Sequence, residues 1–160
     1  MVIFNKIHLT AITLLFFGAI LNILPFSEVL VSKTPPILLL ILIYLSLAFP
    51  NQINLTYAFI SGIIMDVLLI TPLGFNALCY TITIYLILLY YPQIRLQSNW
   101  NKMFSLLIIL IPYFFISTIV NDMLNIEYNI LDVCISIFIS VLIWPRLFGM
   151  LRFIRRKYTS

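Results

Sequence analysis

Charged residues are scarce in this chain: only 9 per cent of its 160 residues are Asp, Glu, Lys or Arg, whereas 63 per cent are hydrophobic. A soluble domain needs a polar surface that this composition cannot supply, so the sequence predicts an integral membrane protein. Long polar segments are absent as well, and apolar runs recur along the whole length. We therefore expect a single membrane domain over residues 1–160, with no appended soluble domain.

Residues that carry catalysis or bind metals are also few. The chain has one histidine, His8, and two cysteines, Cys79 and Cys134, that stand alone without partners at metal-ligand spacing. It has no HExxH motif, and neither a Ser-His-Asp set nor paired aspartates lie within the apolar runs. We therefore expect no enzymatic activity, no cofactor and no metal. Both cysteines are interpreted as packed apolar thiols, and His8 as a solvated or interfacial side chain.

Basic residues form no extended face, and no nucleic-acid-binding motif is present, so we expect no nucleic-acid partner. The net charge of +4 comes mostly from the C-terminal tail. A basic segment beside an apolar run favours contact with anionic lipid headgroups. The predicted lipid-facing residues of this tail are Arg152, Arg155, Arg156 and Lys157.

The apolar runs predict an all-α bundle of about six transmembrane helices, because a bilayer core about 30 Å thick requires about 20 apolar residues in a helix. Pro92 is expected to close the fourth span, and a polar loop is expected from Gln93 to Lys102. The second span is short if it starts at Pro35-Pro36 and of ordinary length if it starts near Val29. The predicted spans are 7–24, 31–49, 55–70, 75–91, 103–121 and 133–151.

The distribution of Lys and Arg predicts the orientation, because cytoplasmic flanks are enriched in these residues. With six spans and a cytoplasmic N-terminus, only Lys33 falls on the outer side. We therefore expect a multi-pass membrane protein with both termini in the cytoplasm. Tyr90, Tyr91, Trp100 and Trp144 are expected in an aromatic belt at the inner boundary. The basic residues on the inner side are Lys6, Arg95, Lys102, Arg146, Arg152, Arg155, Arg156 and Lys157.

A single carboxylate, Asp66, lies inside an apolar run, where a charge costs about 2.5–3.5 kcal/mol on insertion scales and normally has a partner. It lies four residues before Ile70, which places it about 6 Å inside the outer end of its helix. Beyond the turn Thr71-Pro72-Leu73-Gly74, the next helix begins with N–H groups that lack helical partners. We expect Asp66 to accept hydrogen bonds from the Gly74 to Asn76 region, with the Thr71 and Asn76 side chains completing the network.

Three interpretations of Asp66 are considered: a structural link between two helices, a contact to a partner protein, and ion or proton handling. Gly62 lies one helical turn earlier on the same face, where a small residue permits a close helix–helix approach. A proton relay usually needs a chain of ionisable groups, and no second acid lies within a predicted span. The structural interpretation is therefore favoured.

The motif formed by Gly62-x-x-x-Asp66 and Thr71-Pro72-Leu73-Gly74-x-Asn76-Ala77-Leu78, in a chain of this size, resembles the rod shape-determining protein MreD family. The resemblance by motif covers Gly62 to Leu78, and elsewhere it rests on length, hydropathy and topology. It assigns a structural or partner-binding role to Gly62, Asp66, Thr71, Pro72, Gly74 and Asn76.

The resemblance implies a non-enzymatic scaffold subunit of the bacterial cell-elongation (rod) complex, located in the bacterial inner (cytoplasmic) membrane, which supports cell shape and lateral peptidoglycan synthesis. It implies direct association with MreC and, through the complex, with MreB, the glycosyltransferase RodA and the transpeptidase of lateral wall synthesis. It also implies a fold similar to the S components of energy-coupling-factor transporters. A small-molecule, vitamin-type transporter component is therefore the alternative function.

Overall fold

The computed structural model describes the backbone of residues 2–23, 35–123 and 130–159. Within these ranges all the regular structure is helical, which confirms the predicted all-α class. Side chains are described for residues 7–23, 35–94, 96–98, 100–119, 122, 131 and 133–153. The helices are α1 (Val2–Ile23), α2 (Ile37–Ala48), α3 (Leu55–Leu69), α4 (Phe75–Leu96), α5 (Asn99–Met123) and α6 (Ile130–Thr159).

The shortest helix, α2, lies at the centre of the bundle. It is apolar on every side, and all residues from Leu38 to Ser46 are buried. It packs against α1, α4 and α6. The Asn22 side chain of α1 accepts a hydrogen bond from the Ile37 N–H at 3.0 Å, which fixes the start of α2 against its neighbour.

Among the described residues, three helices are long and apolar enough to cross a membrane, over residues 75–94, 100–119 and 133–153. The apolar segments 7–23, 37–48 and 55–69 are shorter, and α2, with 12 residues, extends only about 18 Å. Pro35 and Pro36 are not helical, so α2 is short, as predicted for a span that starts at these prolines. Residues 31–34 of the predicted second span lie outside the described residues. The six-span arrangement stays a prediction.

The predicted loop from Gln93 to Lys102 is wrong in extent. Helix α4 continues through Pro92 to Leu96, and only Gln97 and Ser98 separate it from α5. A proline removes one backbone donor and crowds the preceding turn, yet neighbouring helices allow membrane helices to continue through it. Pro112 and Pro145 likewise lie inside α5 and α6.

Two side-chain assignments made from the sequence are also wrong. Trp144 is buried and packs against Phe148, with ring centroids 5.8 Å apart, instead of lying in a boundary belt. Cys79 is buried as expected, but Cys134 is exposed. The physical reason is the same for both residues: when a helix is apolar all round, its composition does not indicate which face packs inward.

Candidate functional site

The candidate site is the corner between α3 and α4, which form the most extensive helix pair of the bundle. Helix α3 ends where Ile70 adopts a left-handed conformation, with φ 55°. The N–H groups of Ile70 and Thr71 both donate to the backbone carbonyl of Asp66. Gly74 has φ 96° at the N-cap of α4, a conformation that glycine adopts without a Cβ penalty. The corner is therefore a tight hydrogen-bonded turn.

The Asp66 side chain is 1% exposed, and both of its oxygens accept hydrogen bonds from across the turn. The Thr71 hydroxyl donates to Oδ1 at 2.8 Å, and the backbone N–H and side-chain amide of Asn76 donate to the same oxygen at 2.8 and 2.9 Å. The Gly74 N–H donates to Oδ2 at 2.8 Å, with a longer contact of 3.5 Å from the Ala77 N–H. Apart from the contact with Ala77, these are the hydrogen bonds expected from the sequence.

Asp66 acts as the N-terminal cap of a helix to which it does not belong. Gly74 occupies the N-cap position and has no side chain with which to cap α4. Asp66 instead accepts the N–H groups of Gly74, Asn76 and Ala77, which α4 itself cannot satisfy. The carboxylate also lies at the positive end of the α4 dipole. Each donor named here is uncharged, so amides, a hydroxyl and the helix dipole stabilise the buried charge.

Gly62 allows the two helices to approach this closely. A Cβ atom placed on Gly62 would lie 2.3 Å from the Ala77 Cα and 2.5 Å from the Ala77 nitrogen. No side chain can be accommodated at such distances without separating the helix backbones. The small residue on the Asp66 face therefore sets the spacing between α3 and the first turn of α4.

The opposite side of the corner is apolar and projects away from the chain. Ile70 is 94% exposed and Leu73 is 77% exposed, and Pro72 beside them is exposed as well. The corner thus combines a rigid hydrogen-bonded interior with a small apolar tip. The tip consists of Ile70, Pro72 and Leu73.

The structure brings together Gly62, Asp66, Thr71, Gly74 and Asn76, with Pro72 in the turn between them. Their role in binding a partner stays a prediction. In the tail, Arg152 is exposed on α6, but the side chains of Arg155, Arg156 and Lys157 lie outside the described residues. The lipid-facing role of the tail therefore also stays a prediction.

One contact was missed by sequence reasoning, between His8 of α1 and Tyr57 of α3. His8 Nδ1 and the Tyr57 hydroxyl are hydrogen-bonded, and the two rings stack with centroids 5.8 Å apart. His8 is half-buried, and its solvated or interfacial role stays a prediction. The two residues are 49 positions apart, and no local pattern links them. The pair joins two helices that otherwise have few contacts with each other.

Within the described residues, no group of three or more His, Cys, Asp or Glu side chains could hold a metal ion. The fold and the site define a helical membrane protein with a buried, fully hydrogen-bonded aspartate at a helix–turn–helix corner. The family model for rod shape-determining protein MreD matches residues 3–154, and the chain belongs to this family of bacterial cell-shape proteins.

A curated relative agrees with this assignment. The chain is 30% identical over 140 residues to the rod shape-determining protein MreD of Haemophilus influenzae, which covers 86% of this chain and 85% of that protein. No solved structure matches the chain significantly. The expected likeness to S components therefore stays a prediction.

Proposed function

We propose that this chain is a non-enzymatic scaffold subunit of the rod complex in the bacterial inner membrane, where it supports cell shape and lateral peptidoglycan synthesis through association with MreC. Membership of the MreD family supports this proposal. The single observation that carries it is the hydrogen bonding of the buried Asp66 side chain. Both carboxylate oxygens accept hydrogen bonds from groups of the same chain, so the acid holds a corner together.

An acid that moves protons or ions must exchange its ligands during each cycle. Asp66 is buried, and its donors come from the backbone and side chains of one tight turn. Releasing them would leave buried N–H groups unsatisfied at about 1–3 kcal/mol each. This favours the structural interpretation over transport and catalysis.

The apolar tip is the surface that we assign to the partner. Exposed apolar side chains on a rigid element offer contact area at low entropic cost. In the predicted topology the tip lies at the outer face of the membrane, where it can receive a transmembrane helix or the periplasmic stem of MreC. MreB, RodA and the lateral-wall transpeptidase then associate through the complex, and the basic tail contacts anionic lipids.

The test is co-expression of tagged full-length chain with MreC, followed by affinity purification in detergent. We expect MreC to copurify, and we expect Leu73→Ser to reduce its recovery several-fold without lowering the melting temperature. Leu96→Ser is the matched control, because Leu96 is 88% exposed at the opposite end of α4. If MreC does not copurify with the wild-type chain, the assigned partner is wrong.

Variants of the hydrogen-bonded interior of the corner test the role of the corner itself, as distinct from the identity of the partner. Asp66→Ala and Gly74→Leu should reduce MreC recovery and produce rounded cells, because they disturb the corner that presents the tip. Unchanged recovery and unchanged cell shape in both variants would contradict the role of this site. If the chain were instead a vitamin-type transporter component, depletion of the protein would produce a nutrient requirement, and the purified protein would carry a vitamin-sized ligand.

A further inference from the structure

Lys102 lies in the first turn of α5, at the end of the bundle where α4 is joined to α5. Its side chain is half-buried and lines a small apolar space together with Ile94 of α4 and Trp144 of α6. Its ammonium group lies over the Phe148 ring of α6, with the Nζ atom 5.9 Å from the ring centroid. The positive charge of Lys102 is therefore held at the contact between α5 and α6.

The Phe148 ring that supports this charge is itself held in place by its neighbours. It packs edge-on against Tyr44 of α2, with ring centroids 5.2 Å apart, and against Trp144 at 5.8 Å. A cation over an aromatic ring gains about 0.5–2 kcal/mol, depending on how far it is desolvated, but it keeps its charge. The contact fixes the position of the ammonium group and does not neutralise it.

No carboxylate that the structure describes is close enough to neutralise Lys102. Asp122 follows it by about 20 residues in α5, which corresponds to about 30 Å along the helix. Asp66 lies at the other end of α4, and both of its oxygens are bonded within the corner. The first turn of α5 contains no acid, and its helix dipole is positive there too. A half-buried cation in this position favours an anion from outside the chain.

A second cation lies one helical turn further along α6. Arg152 follows Phe148 by four residues, so the two side chains share a face of α6 and their Cα atoms are about 6 Å apart. Arg152 is exposed. Ammonium and guanidinium groups both donate charge-assisted hydrogen bonds to phosphate oxygens. Cations from two helices therefore flank one point at the contact between α5 and α6.

The position of the two cations along their helices favours a lipid phosphate over a phosphate ion in solution. Lys102 lies near the start of the apolar segment Trp100–Ile119, and Arg152 lies near the end of the apolar segment Val133–Phe153. Both charges therefore lie at the same edge of the apolar segments, where the phosphates of a bilayer lie. Trp100 and Phe153 at this edge are exposed, as is typical of side chains that contact lipid.

We propose that Lys102 and Arg152 bind the phosphate of one anionic phospholipid at the contact between α5 and α6. The proposal rests on the membrane location in the proposed function and deepens it, because it adds a defined site to the lipid contact of the basic tail. The bound phosphate neutralises a charge that the described part of the chain leaves unpaired. MreC has no part in the proposal, so a failure of the lipid site and a failure of the scaffold function are distinguishable.

The test is native mass spectrometry of the full chain in neutral detergent, titrated with phosphatidylglycerol. We expect the first lipid to bind the wild-type chain several-fold more tightly than it binds the Lys102→Gln or Arg152→Gln protein. Arg146→Gln is the matched control: Arg146 is exposed on the same helix, but it is about 200° around α6 from Phe148. Equal losses of affinity in Lys102→Gln and Arg146→Gln would show a diffuse charge effect and overturn the proposal.

Thermal unfolding separates a lipid site from a structural role of Lys102. Phosphatidylglycerol should raise the melting temperature of the wild-type and Lys102→Arg proteins by several degrees and leave that of Lys102→Gln almost unchanged. Without lipid, Lys102→Gln should be at least as stable as the wild type, because it loses an unpaired charge. A less stable Lys102→Gln protein that still responds fully to phosphatidylglycerol would show that Lys102 acts only through its contact with Phe148.

Two further probes identify the source of the phosphate. Diacylglycerol, which has the same chains without the phosphate, should not raise the melting temperature. Excess inorganic phosphate should not displace the bound phosphatidylglycerol, because it lacks the hydrocarbon chains. An equal response to diacylglycerol would overturn the role of the two cations, and displacement by inorganic phosphate would show a site for free phosphate instead of a lipid.

Discussion

Asn76 donates two hydrogen bonds to one oxygen of Asp66: its backbone N–H and its side-chain amide both reach Oδ1, at 2.8 and 2.9 Å. The same side-chain amide also donates to the Thr71 hydroxyl at 3.1 Å, which in turn donates to Asp66. The three side chains form a closed ring of hydrogen bonds. The end of α3, the turn and the start of α4 are therefore held as one unit.

Removing the carboxylate should destabilise the protein strongly. Asp66→Ala leaves the N–H groups of Gly74 and Asn76 without their acceptor, and we expect a loss of about 3 kcal/mol in the free energy of unfolding. The measurement is reversible unfolding in mixed detergent micelles. Asp122→Ala, at an exposed acid, is the control and should change stability by less than about 0.5 kcal/mol. Equal stability of the two variants would contradict the capping role of Asp66.

Gly62→Ala should be severely destabilising, because its Cβ would lie 2.3 Å from the Ala77 backbone and the helices would have to separate. We expect a melting temperature at least several degrees lower, or failure to accumulate in the membrane. Gly149→Ala is the matched control: nothing lies within 4 Å of its Cβ, and alanine favours a helix interior by about 0.5–1 kcal/mol. A Gly62→Ala protein as stable as the Gly149→Ala protein would contradict the close approach.

Gly74 is constrained by its backbone conformation and not by space. Its φ is 96°, and a Cβ atom placed on it would have nothing within 4 Å. Gly74→Ala should therefore cost about 1 kcal/mol, and Gly74→Asn should cost less, because asparagine tolerates positive φ better. Thermal unfolding of the two purified variants measures the difference. The reverse order of stability would show that crowding governs this position.

The contact between His8 and Tyr57 should be measurable as a coupling energy. A double-mutant cycle with His8→Phe and Tyr57→Phe keeps the stacked rings but removes the hydrogen bond between them. We expect a coupling of about 1 kcal/mol in the free energy of unfolding. A cycle in which the two effects simply add would show that the pair does not join α1 to α3.

The predicted orientation can be tested with cysteine labelling in a chain that carries Cys79→Ser and Cys134→Ser. Leu73→Cys lies at the exposed tip and Ser98→Cys at the turn between α4 and α5. In intact spheroplasts an impermeant maleimide should label the Leu73→Cys protein. It should label the Ser98→Cys protein only after permeabilisation. The opposite pattern would invert the predicted topology.

Much of the corner could be predicted from the sequence, because its interactions are local. Asp66, Thr71 and Asn76 lie within ten residues of one another, and helix geometry with turn chemistry suffices to bring them together. The end of α4 was predicted less well. Pro92 indicates a helix end in an isolated segment, whereas packing in the bundle carries the helix to Leu96.

The amino-acid sequence by itself determined the membrane environment, the helical class and the hydrogen-bond donors of Asp66. A backbone in lipid must satisfy its own hydrogen bonds, and a lone charge there must find nearby donors. Only the tertiary structure decided that α2 is central, that Cys134 is exposed while Trp144 is buried, and that His8 contacts Tyr57. When nearly every residue is apolar, hydrophobicity no longer distinguishes inside from outside, and the packing of complementary helix surfaces decides which faces meet.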